Sequence, residues 1–132
     1  MDHKLKLALE NLKKVHEMIL NLTQSEGGKI LSSHICYHKA EDQCNCRKPK
    51  TGLFQETFFQ HSQFDKSRSW MVGDGITDIQ AGLSYGLKTV FLGPKKCEIC
   101  KVMDENQLNP TLWFENILDF SNFLSPLREN LK

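Results

Sequence analysis

The sequence has 132 residues and a formal net charge of +1, because 17 lysines and arginines nearly balance 16 aspartates and glutamates. A chain of this length suits one domain with a modest core, and its balanced charge argues against nucleic acid or an anionic membrane surface as a partner. No apolar run approaches the roughly 20 residues needed to cross a bilayer, and residues 1–4 open a charged amphipathic stretch rather than a signal sequence, so we expect a cytoplasmic protein.

The first predicted element is an amphipathic helix. Within residues 5–22 the apolar residues recur every three or four positions, and lysines and glutamates occupy the opposite face. Gly27 and Gly28 are expected to end this helix. Residues 29–36 then predict a short strand, which would lead into the next segment from its carboxyl end.

Residues 36–46 hold the densest group of potential metal ligands, in two pairs with one residue between their members: Cys36 with His38, and Cys44 with Cys46. In an extended chain residues i and i+2 project to the same side, so each pair can hold an ion from two sides. Thiolate and imidazole ligands together favour tetrahedral zinc. Four protein ligands leave no open position for a reacting water, which indicates a structural ion. The alternative is a set of buried cysteines near a surface histidine. An odd count of five cysteines fits reduced thiols and metal better than a disulfide framework.

Residues 52–64 predict a helix with a buried aromatic face. Its phenylalanines are assigned to the core because no basic residues are interleaved with them, as they would be on a surface that stacks nucleic acid bases. Residues 69–72 follow as a compact apolar run and predict a buried parallel strand. A further helix should begin near Thr77, with its hydroxyl as the cap and Gln80 reaching back, and should end at Gly86.

Residues 88–92 predict one more strand, which Gly93 and Pro94 stop. Residues 94–111 are expected to be irregular, and residues 112–124 predict a final helix that Pro126 closes. The alternation of strands and helices indicates a parallel α/β sheet with ligand sites at the carboxyl ends of its strands. No internal repeat or low-complexity linker indicates a second domain, so residues 1–132 are predicted to form a single domain.

An acidic turn, residues 73–78, comes directly after the strand predicted at residues 69–72. Glycines on both sides of Asp74 allow a sharp turn and close access for a cation or a phosphate. Asp74 offers the hard oxygen that Mg²⁺ prefers, and Asp78 lies in the first helical turn, where it could orient the ligands around Asp74. The other interpretation is an ordinary loop in which Asp78 only favours the start of a helix.

Together the ligand pairs, the following Arg47-Lys48-Pro49-Lys50 and the acidic turn resemble the zinc-loop phosphatases of the haloacid dehalogenase (HAD) superfamily. This subgroup includes histidinol-phosphate phosphatases and D-glycero-D-manno-heptose 1,7-bisphosphate phosphatases. The resemblance covers about residues 29–93. It implies a HAD-like Rossmannoid three-layer α/β sandwich with a parallel sheet.

The resemblance also implies roles for individual residues. Lys48 would neutralise charge on the phosphoryl group, and Arg47 would contact the substrate through its planar fork. Asp74 would be the Mg²⁺ ligand and Asp78 its supporting acid. Zinc, held by the two ligand pairs, would position the loop that carries Arg47 and Lys48 and would take no part in the chemistry.

The family pattern is incomplete in this sequence. Members of the family begin with a strand ending in Asp-x-Asp, whose first aspartate forms an aspartyl-phosphate, but no Asp-x-Asp occurs anywhere here. Residues 1–132 are therefore expected to be an incomplete HAD-like domain that lacks the first two strands and would be inactive alone. It would be the carboxyl-terminal part of a Mg²⁺-dependent phosphatase, it would complement a separate amino-terminal half, or it would be a non-catalytic zinc-stabilised binding module.

The expected substrate is a small phosphorylated metabolite, either heptose bisphosphate or histidinol phosphate. Unpaired strand edges would favour association with another half or with itself. Cys97-x-x-Cys100 could be a redox pair or half of another metal site, or simply two reduced thiols, since no second ligand pair is evident and the neighbouring lysines suggest an exposed loop.

Overall fold

The computed structural model describes the backbone of residues 2–129 and the side chains of residues 2–126. The chain forms two compact units that divide after Ser33, called here the N-terminal unit and the C-terminal unit. Within the described residues, no helix combines the length and apolar composition needed to span a membrane. That the whole chain forms a single domain stays a prediction.

The N-terminal unit is built on one long helix, α1 (His3–Ser25), which confirms the helix predicted for residues 5–22. The Asp2 carboxylate caps it by accepting a hydrogen bond from the Lys4 N–H at 3.3 Å. The helix stops before Gly27, whose φ of 82° lies in the left-handed region that glycine adopts without strain. The strand predicted for residues 29–36 is wrong, because this segment contains no strand. Its apolar residues cannot form one without a neighbouring strand to pair with.

A parallel sheet of three strands organises the C-terminal unit. The strands are β1 (Trp70–Gly73), β2 (Lys88–Leu92) and β3 (Leu112–Phe114), and they lie in the order β1-β2-β3. Trp70 is paired with Lys88, and Leu92 with Phe114, so all three strands end at the same edge. This confirms the predicted parallel α/β fold and the strands predicted at residues 69–72 and 88–92.

Among the described residues, four helices accompany the sheet: α2 (Gly52–Gln60), α3 (Ile76–Tyr85), α4 (Cys97–Glu105) and α5 (Ile117–Glu129). Two short 3-10 turns cover residues 40–42 and 66–68. Helices α3 and α4 provide the crossovers that parallel neighbouring strands require. The predicted α2 is confirmed, but only Phe54 and Phe58 of its phenylalanines pack inward, against Tyr85 at ring distances of 5.7 and 5.6 Å. Phe59 is 87% exposed, so its assignment to the core was wrong.

The region after β2 departs from the predictions. Residues 94–111 were expected to be irregular, but they contain α4, which buries Met103. The helix predicted for residues 112–124 is divided into β3 and α5, since the run at residues 112–114 supplies a partner for β2. Pro126 lies inside α5 and does not close it. It lacks an N–H, so this position donates no backbone hydrogen bond within the helix.

Helix α3 begins at Ile76, slightly earlier than predicted. Its cap residue is Gly75, so the predicted Thr77 cap is wrong. The Gly75 N–H donates to the Asp78 carboxylate at 3.0 Å, so Asp78 takes the role predicted for Gln80. Gly86, with φ of 87°, ends the helix as predicted.

The core lies where the crossover helices meet the sheet. Ile79 from α3, Phe91 from β2 and Met103 from α4 are almost completely buried and form one cluster. Helix α3 approaches the sheet closely at Gly82, where a Cβ would lie 2.6 Å from the Thr89 methyl group. This close packing holds α3 against strands β1 and β2, where Met71 and Thr89 are its nearest neighbours.

Candidate functional site

The two predicted ligand pairs meet in one cluster, called here the metal cluster. The Cys36 sulfur lies 3.7 Å from Cys44 Sγ and 3.0 Å from Cys46 Sγ, and His38 Nδ1 lies 3.2 Å from Cys46 Sγ. All four ligand atoms lie within 4.8 Å of one another. Ligands at zinc–sulfur distances of ~2.3 Å stand about 3.8 Å apart in a tetrahedron, so the donor atoms and their spacing fit such an ion. The metal cluster could therefore hold a metal.

Hydrogen bonding within the metal cluster shifts the pKa values of two of its thiols in opposite directions. Burial raises the pKa of Cys44, but hydrogen bonds from the N–H groups of Cys46 and Arg47 and from the neighbouring thiols outweigh burial and lower the pKa to about 7. A hydrogen bond to Cys36, followed by burial, raises the pKa of Cys46 to about 12. Sulfurs this close repel one another as thiolates, and a bound dication would offset that repulsion.

The basic segment, residues 47–50, is tied back to the metal cluster. Lys50 Nζ donates to the Cys44 carbonyl at 2.7 Å, and the Gly52 N–H donates to the Asn45 carbonyl at 2.8 Å. A Cβ at Gly52 would lie only 2.3 Å from that carbonyl oxygen, so the start of α2 requires glycine there. The peptide bond between Lys48 and Pro49 is cis.

The two cationic site residues have different surroundings. Arg47 is exposed, and its Nη1 donates to the His38 carbonyl at 3.4 Å. Lys48 forms an ion pair with the carboxylate of Asp78, and its side chain stays 45% exposed. The ion pair joins the basic segment to the acidic turn, 30 residues further along the chain.

A cavity of about 240 Å³ opens beside these residues. Four cationic side chains border it, namely Lys39, Arg47, Lys48 and Lys50. No acidic residue borders it among the described residues, so its local charge suits an anion.

Asp78 is the most constrained residue of the acidic turn. It is 4% exposed, it binds Lys48 with one carboxylate oxygen, and it accepts the Gly75 N–H with the other. A Cβ at Gly73 would lie 2.3 Å from the second oxygen, so only glycine leaves space for this carboxylate. Asp78 therefore holds the basic segment, the turn and the end of β1 together.

Asp74 lies at the carboxyl end of β1, between Gly73 and the cap of α3, and it is exposed. An exposed carboxylate provides a hard oxygen of the kind that Mg²⁺ binds, with room left for water or phosphate oxygens, so Asp74 fits the ion. Both oxygens of Asp78 are engaged by Lys48 and the Gly75 N–H, which leaves Asp78 a supporting position. Lys48 forms its ion pair with Asp78 rather than with Asp74, and the spacing of these residues in the sequence did not predict this pairing.

Comparison with known proteins shows which family this chain matches. The family model for HAD-hydrolase-like proteins matches residues 45–120, which is more than half of the chain. The chain belongs to the HAD-like hydrolase family. The resemblance inferred from the motifs is thus confirmed at the level of the family.

Two kinds of named relatives are similar to this HAD-like chain. It is 31% identical over 123 residues to D-glycero-beta-D-manno-heptose-1,7-bisphosphate 7-phosphatase of Neisseria meningitidis serogroup A, a match that covers 92% of this chain and 64% of that protein. It is 35% identical over 89 residues to the histidine biosynthesis bifunctional protein HisB of Actinobacillus pleuropneumoniae serotype 3, covering 67% of this chain and 24% of that protein. The matches therefore span under two thirds of each relative.

A solved structure shares the fold of this HAD-like hydrolase. The D,D-heptose 1,7-bisphosphate phosphatase from B. bronchiseptica, complexed with magnesium and phosphate, superposes with a TM-score of 0.70. The superposition covers 89% of this chain and 64% of that one, at 23% sequence identity. At this identity the likeness concerns the fold.

Proposed function

We propose that this chain supplies the phosphate-facing part of a Mg²⁺-dependent phosphatase that hydrolyses a small phosphomonoester. The observation that carries the proposal is the ion pair between Lys48 and Asp78, which joins the basic segment to the acidic turn at the carboxyl end of a parallel strand. That edge of a parallel α/β sheet is where ligands bind. Membership of the HAD-like hydrolase family supports phosphoryl chemistry there.

In this proposal the metal cluster holds a structural zinc ion. Its four protein ligands would complete a tetrahedron and leave no position for substrate. The bound ion would fix residues 44–46, and through the Lys50 and Gly52 hydrogen bonds it would fix the basic segment that follows.

Asp74 would hold Mg²⁺, and Asp78 would support that site from its buried position. A bound Mg²⁺ ion would offset negative charge on the phosphoryl oxygens. Lys48 would offset charge from the other side, with its ammonium fixed before the substrate arrives. Arg47, exposed at the rim of the cavity, would bind the remainder of an anionic substrate through its guanidinium group.

The nucleophile would come from a separate segment, because this sequence contains no Asp-x-Asp. We therefore expect the chain alone to be inactive, and expect activity through an aspartyl-phosphate when an amino-terminal half binds to it or is joined to it. The named relatives point to heptose bisphosphate or histidinol phosphate as the substrate. We expect the protein to work in the cytoplasm.

The absence of Asp-x-Asp favours a second candidate, a non-catalytic zinc-stabilised binding or regulatory module derived from the same family. This candidate keeps the metal cluster and the fold. It predicts no Mg²⁺-dependent binding of phosphate. Asp74→Asn should then change nothing that can be measured.

The deciding experiment measures binding of inorganic phosphate to the purified chain by calorimetry, with and without Mg²⁺. We expect Mg²⁺ to strengthen binding, and we expect Asp74→Asn to abolish that effect. Asp104→Asn is the matched control, because it removes an acidic residue of α4 outside the acidic turn. Phosphate binding that ignores Mg²⁺ and Asp74 would leave the non-catalytic module as the better account.

Catalysis is tested separately by adding the part of the Neisseria relative that this chain does not match. Hydrolysis of heptose bisphosphate and of histidinol phosphate is then measured with and without that part. Activity only in the mixture, lost in Lys48→Ala, would support the proposal. A mixture without activity, despite binding between the two parts, would count against a catalytic role.

A further inference from the structure

Cys97 and Cys100 form a pair that the proposed function does not use. Both are free cysteines, Cys97 exposed and Cys100 half-buried. The neighbouring lysines suggested an exposed loop, but the structure places both cysteines at the start of α4, a helix of nine residues. This position changes the chemistry that the pair can perform.

A spacing of three residues puts both side chains on one face of the helix. Residues i and i+3 have Cβ atoms about 5–6 Å apart, and a disulfide needs about 3.8 Å. The first turn can tighten by this amount because its N–H groups make no intrahelical bond. The first such bond here runs from the Cys100 N–H to the Lys96 carbonyl at 3.0 Å. The pair can therefore close without unfolding the rest of α4.

Space for part of a small disulfide lies next to Cys100, and Cys97 can be reached directly from solvent because it is exposed. Cys100 borders a cavity of about 390 Å³, together with Lys95, Met103, Asp104 and Trp113. The Lys95 ammonium lies 5.4 Å from the centre of the Trp113 ring, and Lys96 directly precedes Cys97. Glu98 and Asp104 lie in the same helix, so positive and negative charges around the pair are balanced and admit a small disulfide such as glutathione disulfide.

We propose that Cys97 and Cys100 form a dithiol site that exchanges reversibly with small disulfides. The exposed Cys97 thiolate attacks one sulfur of the reagent, the reagent S–S bond breaks, and one thiolate leaves. Cys100 then attacks the sulfur of Cys97 and releases the second thiolate. The protein loses two electrons and its two thiol protons, and the reagent is reduced to two thiols. This inference does not rest on the proposed phosphatase function.

The sequence offers a clean way to test the site in the intact protein. Trypsin cleaves after Lys96 and Lys101, so residues 97–101 are released as one peptide that contains these two cysteines and no others. Residues 40–47 are released separately with Cys44 and Cys46, and serve as an internal control. The full-length protein is equilibrated with reduced and oxidised glutathione at sub-millimolar concentration. It is then alkylated, digested and analysed by mass spectrometry.

We expect the 97–101 peptide to become an intramolecular disulfide at a smaller proportion of oxidised glutathione than the 40–47 peptide requires. Thiols one helical turn apart see each other at millimolar or higher effective concentration. Cys100→Ser should therefore accumulate about tenfold more glutathione adduct on Cys97 than the unchanged protein does. Cys97→Ser should react more slowly, because it keeps only the half-buried thiol.

Two results would overturn the inference. One is recovery of the 97–101 peptide with both thiols alkylated at every glutathione ratio. The other is a lower zinc content in the double variant Cys97→Ser/Cys100→Ser than in the unchanged protein, which would assign the pair to metal binding. Equal zinc contents would support the dithiol site.

Discussion

Replacing Gly73 with alanine should destabilise the C-terminal unit because the added methyl group has no room. A Cβ at this position would lie 2.3 Å from Asp78 Oδ2 and 2.6 Å from the Asp78 Cβ. Rotation of the carboxylate could relieve the first contact. It cannot relieve the second, since the Asp78 Cβ is fixed by the backbone of α3.

The size of the effect follows from two costs. Overpacking of a rigid contact costs about 1–3 kcal/mol. Displacing the carboxylate also removes the acceptor of the Gly75 N–H and the partner of Lys48, at about 1–3 kcal/mol, reduced because Lys48 is 45% exposed. We therefore expect Gly73→Ala to lower the free energy of unfolding by about 2–4 kcal/mol.

Gly75→Ala is the matched control on the other side of Asp74. A Cβ there would lie 3.3 Å from Asp78 Oδ2, and the φ of −117° suits alanine, so we expect a loss of only about 0.5–1 kcal/mol from the weaker cap. Urea unfolding followed by tryptophan fluorescence measures both variants, because Trp70 and Trp113 both lie in the C-terminal unit. Equal unfolding midpoints for the two variants would refute this account of the Asp78 carboxylate.

Three further predictions concern the metal cluster, the ion pair and acid stability. The purified chain should bind zinc tightly, and a chelator should lower its Tm. The variant Cys46→Ser should lose the zinc, and zinc that elemental analysis still finds in this variant would contradict the assignment. Lys48→Ala should destabilise the chain by about 1–2 kcal/mol in urea because it leaves Asp78 buried without its cation, while Lys39→Ala should cost less than about 0.5 kcal/mol; equal losses would exclude a structural ion pair. Hydrogen bonds from the Ser67 hydroxyl and N–H lower the pKa of Asp65, so their stabilisation is present above the unfolded pKa of about 3.9 and is lost as the pH falls through the lower folded pKa. The stability difference between the unchanged protein and Ser67→Ala should thus be constant above about pH 5 and vanish in stronger acid; a difference that persists in acid would argue against this charge effect.

Local patterns were sufficient for much of the fold. Strands β1 and β2 are short apolar runs followed by glycine, and α1 shows a long amphipathic period, so neighbouring residues alone determined these assignments. The metal cluster was predictable for the same reason, because its ligands are close in sequence and their chemistry is distinctive. The acidic turn followed from its position after a buried strand.

Contacts between distant segments decided the features that were missed. Residues 112–114 could have been helix or strand by their apolar character, and pairing with β2 made them a strand. The Trp113 indole N–H, which donates to the Gly93 carbonyl at 2.7 Å, strengthens that choice. The segment at residues 29–36 had the composition of a strand but pairs with no strand of the sheet. The ion pair of Lys48 with Asp78 joins residues too far apart for any local pattern to reveal.

The ion pair between Lys48 and Asp78 also bears on which anions the cationic cavity can select. An anion that approaches Lys48 meets an ammonium whose charge is already balanced by a buried carboxylate. The anion gains binding free energy from Lys48 only if it attracts the ammonium more strongly than the Asp78 carboxylate does. A singly charged anion offers little advantage over a carboxylate, whereas a doubly charged phosphate monoester offers more. The Asp78 carboxylate would thus compete with bound anions for Lys48. The cavity would then favour doubly charged anions over singly charged ones.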